Sequence, residues 1–208
     1  MRPSPANSKL GSKLGMARVW LPVDTQEAFV LATVTSQDQQ NATLRPDHAD
    51  ADVTLTADEL ANLHIAHVDD PAAHEDDLVK LRDVNAASIL HNLKLRYSAD
   101  QIYTAISSSI LVAVNPYKPI DYCSSEALSA LTEVEPESMA PHIFRLSRAA
   151  YAAMIGTATA QSILISGESG AGKTETTKLC MASLAEMSSS TGAATEAALD
   201  SGYLLESF

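Results

Sequence analysis

Gly167-Glu168-Ser169-Gly170-Ala171-Gly172-Lys173-Thr174 is the stretch on which the fold turns. It satisfies G-x-x-x-x-G-K-[ST], the phosphate-binding loop of nucleotide-hydrolysing proteins. The pattern needs two glycines, a lysine and a hydroxyl residue at fixed offsets, which a random chain of this length meets roughly once in a hundred tries. Its flanks fit. Ser162-Ile163-Leu164-Ile165-Ser166 is a short apolar run that predicts a buried strand. Glu175 to Met187 lacks Gly and Pro and places Cys180, Leu184 and Met187 on one helical face. Strand, glycine loop and helix in that order predict an α/β fold with a phosphate-loop NTPase core.

Charge explains why the loop has this composition. A triphosphate needs donors that do not move. Glycines let the backbone curl so that successive N–H groups converge on phosphate oxygens. The helix that follows turns its free N–H groups and positive dipole end toward the same anion. Lys173 is then the candidate catalytic residue, bridging the β- and γ-phosphates, and the Thr174 hydroxyl is the candidate Mg²⁺ ligand. A turn kept glycine-rich for packing alone does not call for Lys-Thr at the helix start.

The chain has 208 residues and a net charge of −12. That balance argues against a general affinity for nucleic acid or an anionic membrane. No run is long enough to span a bilayer, and the opening has no apolar core like a secretory signal. Cys123 and Cys180 show neither disulfide nor zinc spacing. A cytosolic protein with reduced thiols is expected.

Residues 1–17 read as a flexible tail. From Arg18 to about Leu63, short β-branched runs alternate with turn residues, which predicts a small antiparallel β unit anchored by Trp20, the single tryptophan. His64, His67 and His74 lack partners at a recognised ligand spacing, so a solvated linker is preferred to a metal site. A helix is expected to begin near Asp76 with Leu78, Leu81 and Val84 on one face. Asn85 caps a second, with a stripe of Ile89, Leu90, Leu93 and Tyr97. Gln101–Thr104 and Ile110–Val114 read as strands joined across Ser107–Ser109, the second buried on both faces. Asn115-Pro116-Tyr117-Lys118-Pro119 stops that strand. The end of a buried strand is where an α/β sheet places ligand contacts, but on local sequence alone a rigid turn is favoured. A short helix at Ser124–Thr132, an acidic loop from Glu133 to Pro141, and a helix with Ile143, Leu146, Ala150 and Met154 on one face lead to the phosphate loop. Ser188–Ala193 reads as a flexible insert.

These blocks together resemble the myosin motor head. The phosphate loop continues as Glu175-Thr176-Thr177-Lys178. Ala87-Ser88-Ile89-Leu90-His91-Asn92-Leu93-Lys94-Leu95-Arg96-Tyr97 is similar to the family's helix before the first core strands. Leu111–Lys118 resembles its adenine-side loop, and Pro141-His142-Ile143-Phe144 with Ala150-Tyr151 resembles its helix before the phosphate loop. The β unit looks like the Src-homology-3-like subdomain of many myosins. The resemblance implies a tail at 1–17, a small antiparallel β-barrel-like subdomain at 18–65, and the N-terminal part of the motor domain at 66–208, with an incomplete mixed sheet and flanking helices.

It also implies the ligands. ATP and Mg²⁺ are held by Gly167, Glu168, Ser169, Gly170, Ala171, Gly172, Lys173 and Thr174, and Asn115, Pro116, Tyr117, Lys118 and Tyr122 lie on the adenine side. Leu199–Phe208 looks like the segment just before the family's switch I. Switch I, switch II and the actin-binding region are therefore expected beyond this stretch. The implied whole is an actin-dependent motor that hydrolyses Mg-ATP in the cytoplasm, on the cytoskeleton as part of a myosin complex. Light chains and tail partners would belong to a longer product. The other reading is a non-catalytic nucleotide-binding or protein-interaction module. No recognised residue here orients water or closes over the γ-phosphate, so turnover by these residues alone is not expected.

Overall fold

The computed structural model describes residues 17–121 and 138–190, apart from positions 48, 50, 69, 71 and 72. The expected tail, the helix at Ser124–Thr132 and the chain from Thr191 onward lie outside the described residues, as do Tyr122 and Cys123. The chain divides into two compact units. One holds the chain up to Ala73 with Leu81–Asn92, and the other holds His74–Lys80 and the chain from Leu93 onward.

The first unit is an antiparallel sheet of β1 (Arg18–Pro22), β2 (Phe29–Gln37), β3 (Asn41–Pro46), β4 (Val53–Thr56) and β5 (His64–Ile65). Their order is β4-β3-β2-β1-β5. The two-residue period of a strand sorts its apolar residues onto opposite faces. Val19, Leu21, Ala32, Val34, Ala42, Leu44 and Leu60 form one core. Trp20, one residue out of phase, joins Leu31, Ala66 and Ala87 in another. Its ring lies 5.0 Å from that of His91, so the expected core anchor is observed. His67 pairs with Asp83.

Local polar contacts set the turns. The Asp38 carboxylate accepts the N–H groups of Gln40 and Asn41, each at 2.7 Å. Thr56 and Glu59 form a reciprocal capping box at the start of the short helix α1 (Ala57–Ala61). Arg45 reaches Asp52 through two nitrogens at 2.6 and 2.8 Å.

The second unit contains the hairpin β6 (Tyr103–Ile106) and β7 (Ile110–Ala113), with α3 (Ile143–Thr157) and α4 (Lys173–Ser190). The division between units falls within α2 (Ala86–Ser98). Asn85 caps α2 as expected, its side-chain oxygen accepting the Ser88 N–H at 3.0 Å. The core gathers Ile102, Tyr103, Met139, Ile143, Phe144 and Cys180. The buried guanidinium of Arg96 donates to the Thr104 hydroxyl at 2.9 Å and the Tyr103 carbonyl at 2.8 Å. Ser147 on α3 lies 3.2 Å from the buried Cys180 sulfur on α4.

Several local expectations are corrected. The helix expected from Asp76 is only the 3₁₀ turn Leu78–Lys80. The Asp76 carbonyl accepts the Ala105 N–H at 2.9 Å, and the Asp77 carboxylate takes the N–H groups of Val79 and Ser107. Bonding to the hairpin competes with helix growth at this point. In α2 the predicted stripe is displaced: Leu90 and Tyr97 are exposed, whereas Ala87, Asn92 and Arg96 are buried.

Among the described residues β7 pairs with β6 alone and leaves Ile110 exposed, so there it is not buried on both faces. Ser162–Ser166 has no strand partner among the described residues. Its Ile163 packs into the core but Leu164 is 92% exposed. A strand of this type is satisfied only by neighbours on its edges. The last helix starts at Lys173 and carries on through Ser190, past the residues expected to end it.

Two outcomes are expected of the first unit. Leu44 is fully buried, and Leu44→Ala should lower its stability by about 3 kcal/mol in a urea titration followed by Trp20 fluorescence. Hydrogen bonds from the neighbouring backbone hold Asp38 below the usual carboxylate range. Bonds from the Thr56 backbone and hydroxyl do the same for Glu59, and the hydrogen bond from Arg45 does so for Asp52. Folded values below unfolded ones give stability that is complete above about pH 5 and lost as pH falls through the depressed values. The urea midpoint should fall in that acid window, and Glu59→Gln should shrink the fall.

Candidate functional site: the phosphate loop and the loop after β7

The phosphate loop emerges from Ser162–Ser166 and runs directly into α4, whose first residue is Lys173. Gly170 and Gly172 have φ of 79° and 89°, a region that residues with a Cβ rarely enter. The Ala171 N–H donates to the Glu168 carbonyl at 3.1 Å and closes the turn. Lys173 folds back over this turn. Its Nζ donates to the carbonyls of Gly167 at 2.9 Å and Glu168 at 2.8 Å. Lys173 makes no ion pair with a carboxylate among the described residues. Thr174, Glu168 and Ser169 are exposed. Glu175 pairs with Lys178 at 3.2 Å on the first turn of the helix.

The loop after β7 approaches from the other side. Asn115 works with every polar atom of its side chain. Its Oδ1 accepts the Tyr117 N–H at 3.0 Å, and its Nδ2 donates to the Gly170 carbonyl at 2.7 Å. The Tyr117 hydroxyl donates to the same carbonyl at 3.3 Å. A Cβ built on Gly172 would stand 3.6 Å from the Asn115 side chain, an ordinary contact. The glycine there is required by φ and not by space. Lys118 turns its ammonium to Asp100 at 2.6 Å.

Asn115, Pro116 and Lys118 share a cavity of about 420 Å³ with Gly172, Glu175 and Thr176. The predicted adenine-side and phosphate-side segments thus meet. Lys173 and Thr174 sit at the loop and helix start and are not part of that lining. Tyr122 lies outside the described residues. A larger cavity of about 540 Å³, lined by His74, Arg96 and His142 among others, contains no part of the phosphate loop. Sequence reasoning missed Tyr97 and Asp100, which reach the loop from the end of α2. The available signal was an Asp where a helix end favours Gly.

Residues 75–208 match the family described as Myosin head (motor domain). The chain belongs to the myosin head family. It is 45% identical over 133 residues to the high molecular weight form of myosin-1 of Acanthamoeba castellanii, covering 64% of this chain and 8% of that protein. It is 33% identical over 192 residues to mouse unconventional myosin-VIIb, covering 91% and 9% respectively. It is also 32% identical over 180 residues to the Dictyostelium discoideum myosin-H heavy chain, covering 86% and 10%. The chain therefore spans no more than about a tenth of the length of these relatives. The match, residues 75–208, takes in α2 and both loops described above. Among the described residues, no helix is long and apolar enough to cross a membrane.

The contact between the two loops has a direct test. Asn115→Asp replaces a donor with a second acceptor opposite the Gly170 carbonyl. Amide hydrogen exchange in a peptide covering Gly167–Thr174 should speed up by about ten-fold, in line with loss of a hydrogen bond and added repulsion.

Proposed function

We propose that this chain supplies the phosphate-side and purine-side walls of the ATP site of an actin-dependent myosin motor, within a phosphate-loop NTPase core. Residues 18–65 are its Src-homology-3-like subdomain and residues 66–208 the N-terminal part of the motor domain. The observation that carries the reading is the Asn115 amide donating to the Gly170 carbonyl at 2.7 Å. It ties the two loops to one cavity in a protein of the myosin head family.

The residues fit a nucleotide with its metal. The positive-φ glycines leave the loop backbone uncovered, and an 18-residue helix starts at Lys173. Among the described residues the Lys173 ammonium is held by neutral carbonyls, which an anion can displace. Lys173 would hold the β- and γ-phosphates, the loop amides the remaining phosphate oxygens, and the Thr174 hydroxyl the metal. Asn115, Pro116, Tyr117 and Lys118 would flank the purine, with Tyr122 beyond them. Bound Mg²⁺ neutralises charge that builds on the phosphates. Orientation of water and closure over the γ-phosphate belong to the family's switch segments. The role assigned to these residues is holding the nucleotide. Actin contact, cytoskeletal localisation in the cytoplasm and any light-chain binding are assigned to the whole motor.

The test is the affinity of the full chain for a fluorescent ATP analogue with Mg²⁺. Lys173→Ala should weaken binding by about 10- to 100-fold, the loss of a charge-assisted contact to phosphate. Equal and negligible binding by both proteins would overturn the reading.

A further inference from the structure

The structure assigns a positioning role to Asp100: its carboxylate, at the C-terminal end of α2, anchors the purine-side loop through Lys118 and so prepares the nucleotide cavity. The inference rests on the ATP-site reading above and adds a residue to it.

The end of α2 has the form of a Schellman motif. The Gln101 N–H donates to the Arg96 carbonyl at 2.8 Å and the Asp100 N–H to the Tyr97 carbonyl at 3.0 Å. Asp100 occupies the left-handed position of that motif, with φ of 58°. Two local rules disfavour an aspartate there. Glycine reaches this conformation without Cβ strain, and a carboxylate faces the negative end of the helix dipole. Residues that break local rules repay a search for a compensating contact elsewhere.

The contact is the Lys118 ammonium, 2.6 Å from the Asp100 carboxylate. Lys118 belongs to the cavity lining together with Asn115 and Pro116. A second tie runs alongside: the Tyr97 hydroxyl, one turn before Asp100, donates to the Asn115 carbonyl at 3.4 Å. The end of α2 therefore touches the loop at Asn115 and at Lys118, both of which line the cavity. Asn115 passes the constraint to Gly170. Lys118 is steered by Asp100 to the side of the loop, so its ammonium acts on loop position.

Both partners of the pair are about half exposed, which limits the effect and makes it sensitive to salt. The test compares the wild-type full chain with Asp100→Gly, Asp100→Glu and Lys173→Ala, reading affinity for the fluorescent ATP analogue at low and high salt, and thermal unfolding. Asp100→Gly should unfold at the wild-type temperature or above, because glycine relieves the left-handed strain. It should nevertheless bind the analogue about three-fold more weakly at low salt, as expected for an exposed ion pair. That ratio should approach one in high salt, and Asp100→Glu should restore most of the affinity.

Wild-type affinity in Asp100→Gly, with binding lost in Lys173→Ala, would overturn the positioning role and leave the ATP site standing. So would a weakening that tracks a lowered unfolding temperature and ignores salt. Absence of any difference between wild type and Lys173→Ala would remove the ATP site, and the positioning role with it.

Discussion

One carboxamide organises the site. Asn115 joins two chain segments 55 residues apart by donating to the carbonyl of Gly170. The same side chain accepts the Tyr117 N–H and so folds its own loop. No other side chain of this length offers a donor and an acceptor on one rigid plane; its acid analogue, aspartate, has no donor. Pro116 and Pro119, which follow Asn115, stop β7 from continuing past it. The Gly170 peptide is pinned by two donors from the facing loop, and its φ of 79° is open to glycine and few others. Sequence chemistry on one segment thus fixes backbone geometry on another.

The phosphate loop is already curled around its own lysine. Carbonyls of Gly167 and Glu168 hold the Lys173 ammonium where a phosphate would be expected to draw it. These contacts are to neutral oxygens, whereas a phosphate offers full negative charge, so exchange favours the anion. The helix behind the loop is anchored independently. Thr176 and Thr177 bond back to the carbonyls of Gly172 and Lys173 at 3.0 and 2.9 Å, and Cys180 reaches the buried Ser147 of α3. The helix end that presents its N–H groups is therefore held by core packing and does not depend on a ligand for its position.

Three residues depart from local preference. Leu164 stands exposed beside half-buried Ile163 and Ile165, the composition of a strand meant for a sheet interior. Asp100 holds a conformation that suits glycine and meets Lys118. Ser107, also at positive φ, has its N–H held by the Asp77 carboxylate at 2.9 Å. In the last two cases a local cost is set against a contact with a residue distant along the chain.

By itself the sequence determined the elements whose signal is local. The small antiparallel β unit follows from short β-branched runs between turn residues, the cap of α2 from Asn85, and the phosphate loop from glycines, lysine and threonine at fixed offsets. It also placed Asn115 to Lys118 beside that loop, through the resemblance of several ordered blocks. Tertiary structure alone decided the rest. The turn at Leu78–Lys80 replaces a helix because the Asp76 backbone and Asp77 carboxylate bond to residues about thirty positions away. Leu90 and Tyr97 lie outside because the buried face of α2 carries Asn92 and Arg96, and the buried Arg96 finds acceptors on β6. Polar groups choose their partners by three-dimensional proximity, and apolar periodicity carries no record of where those partners will be.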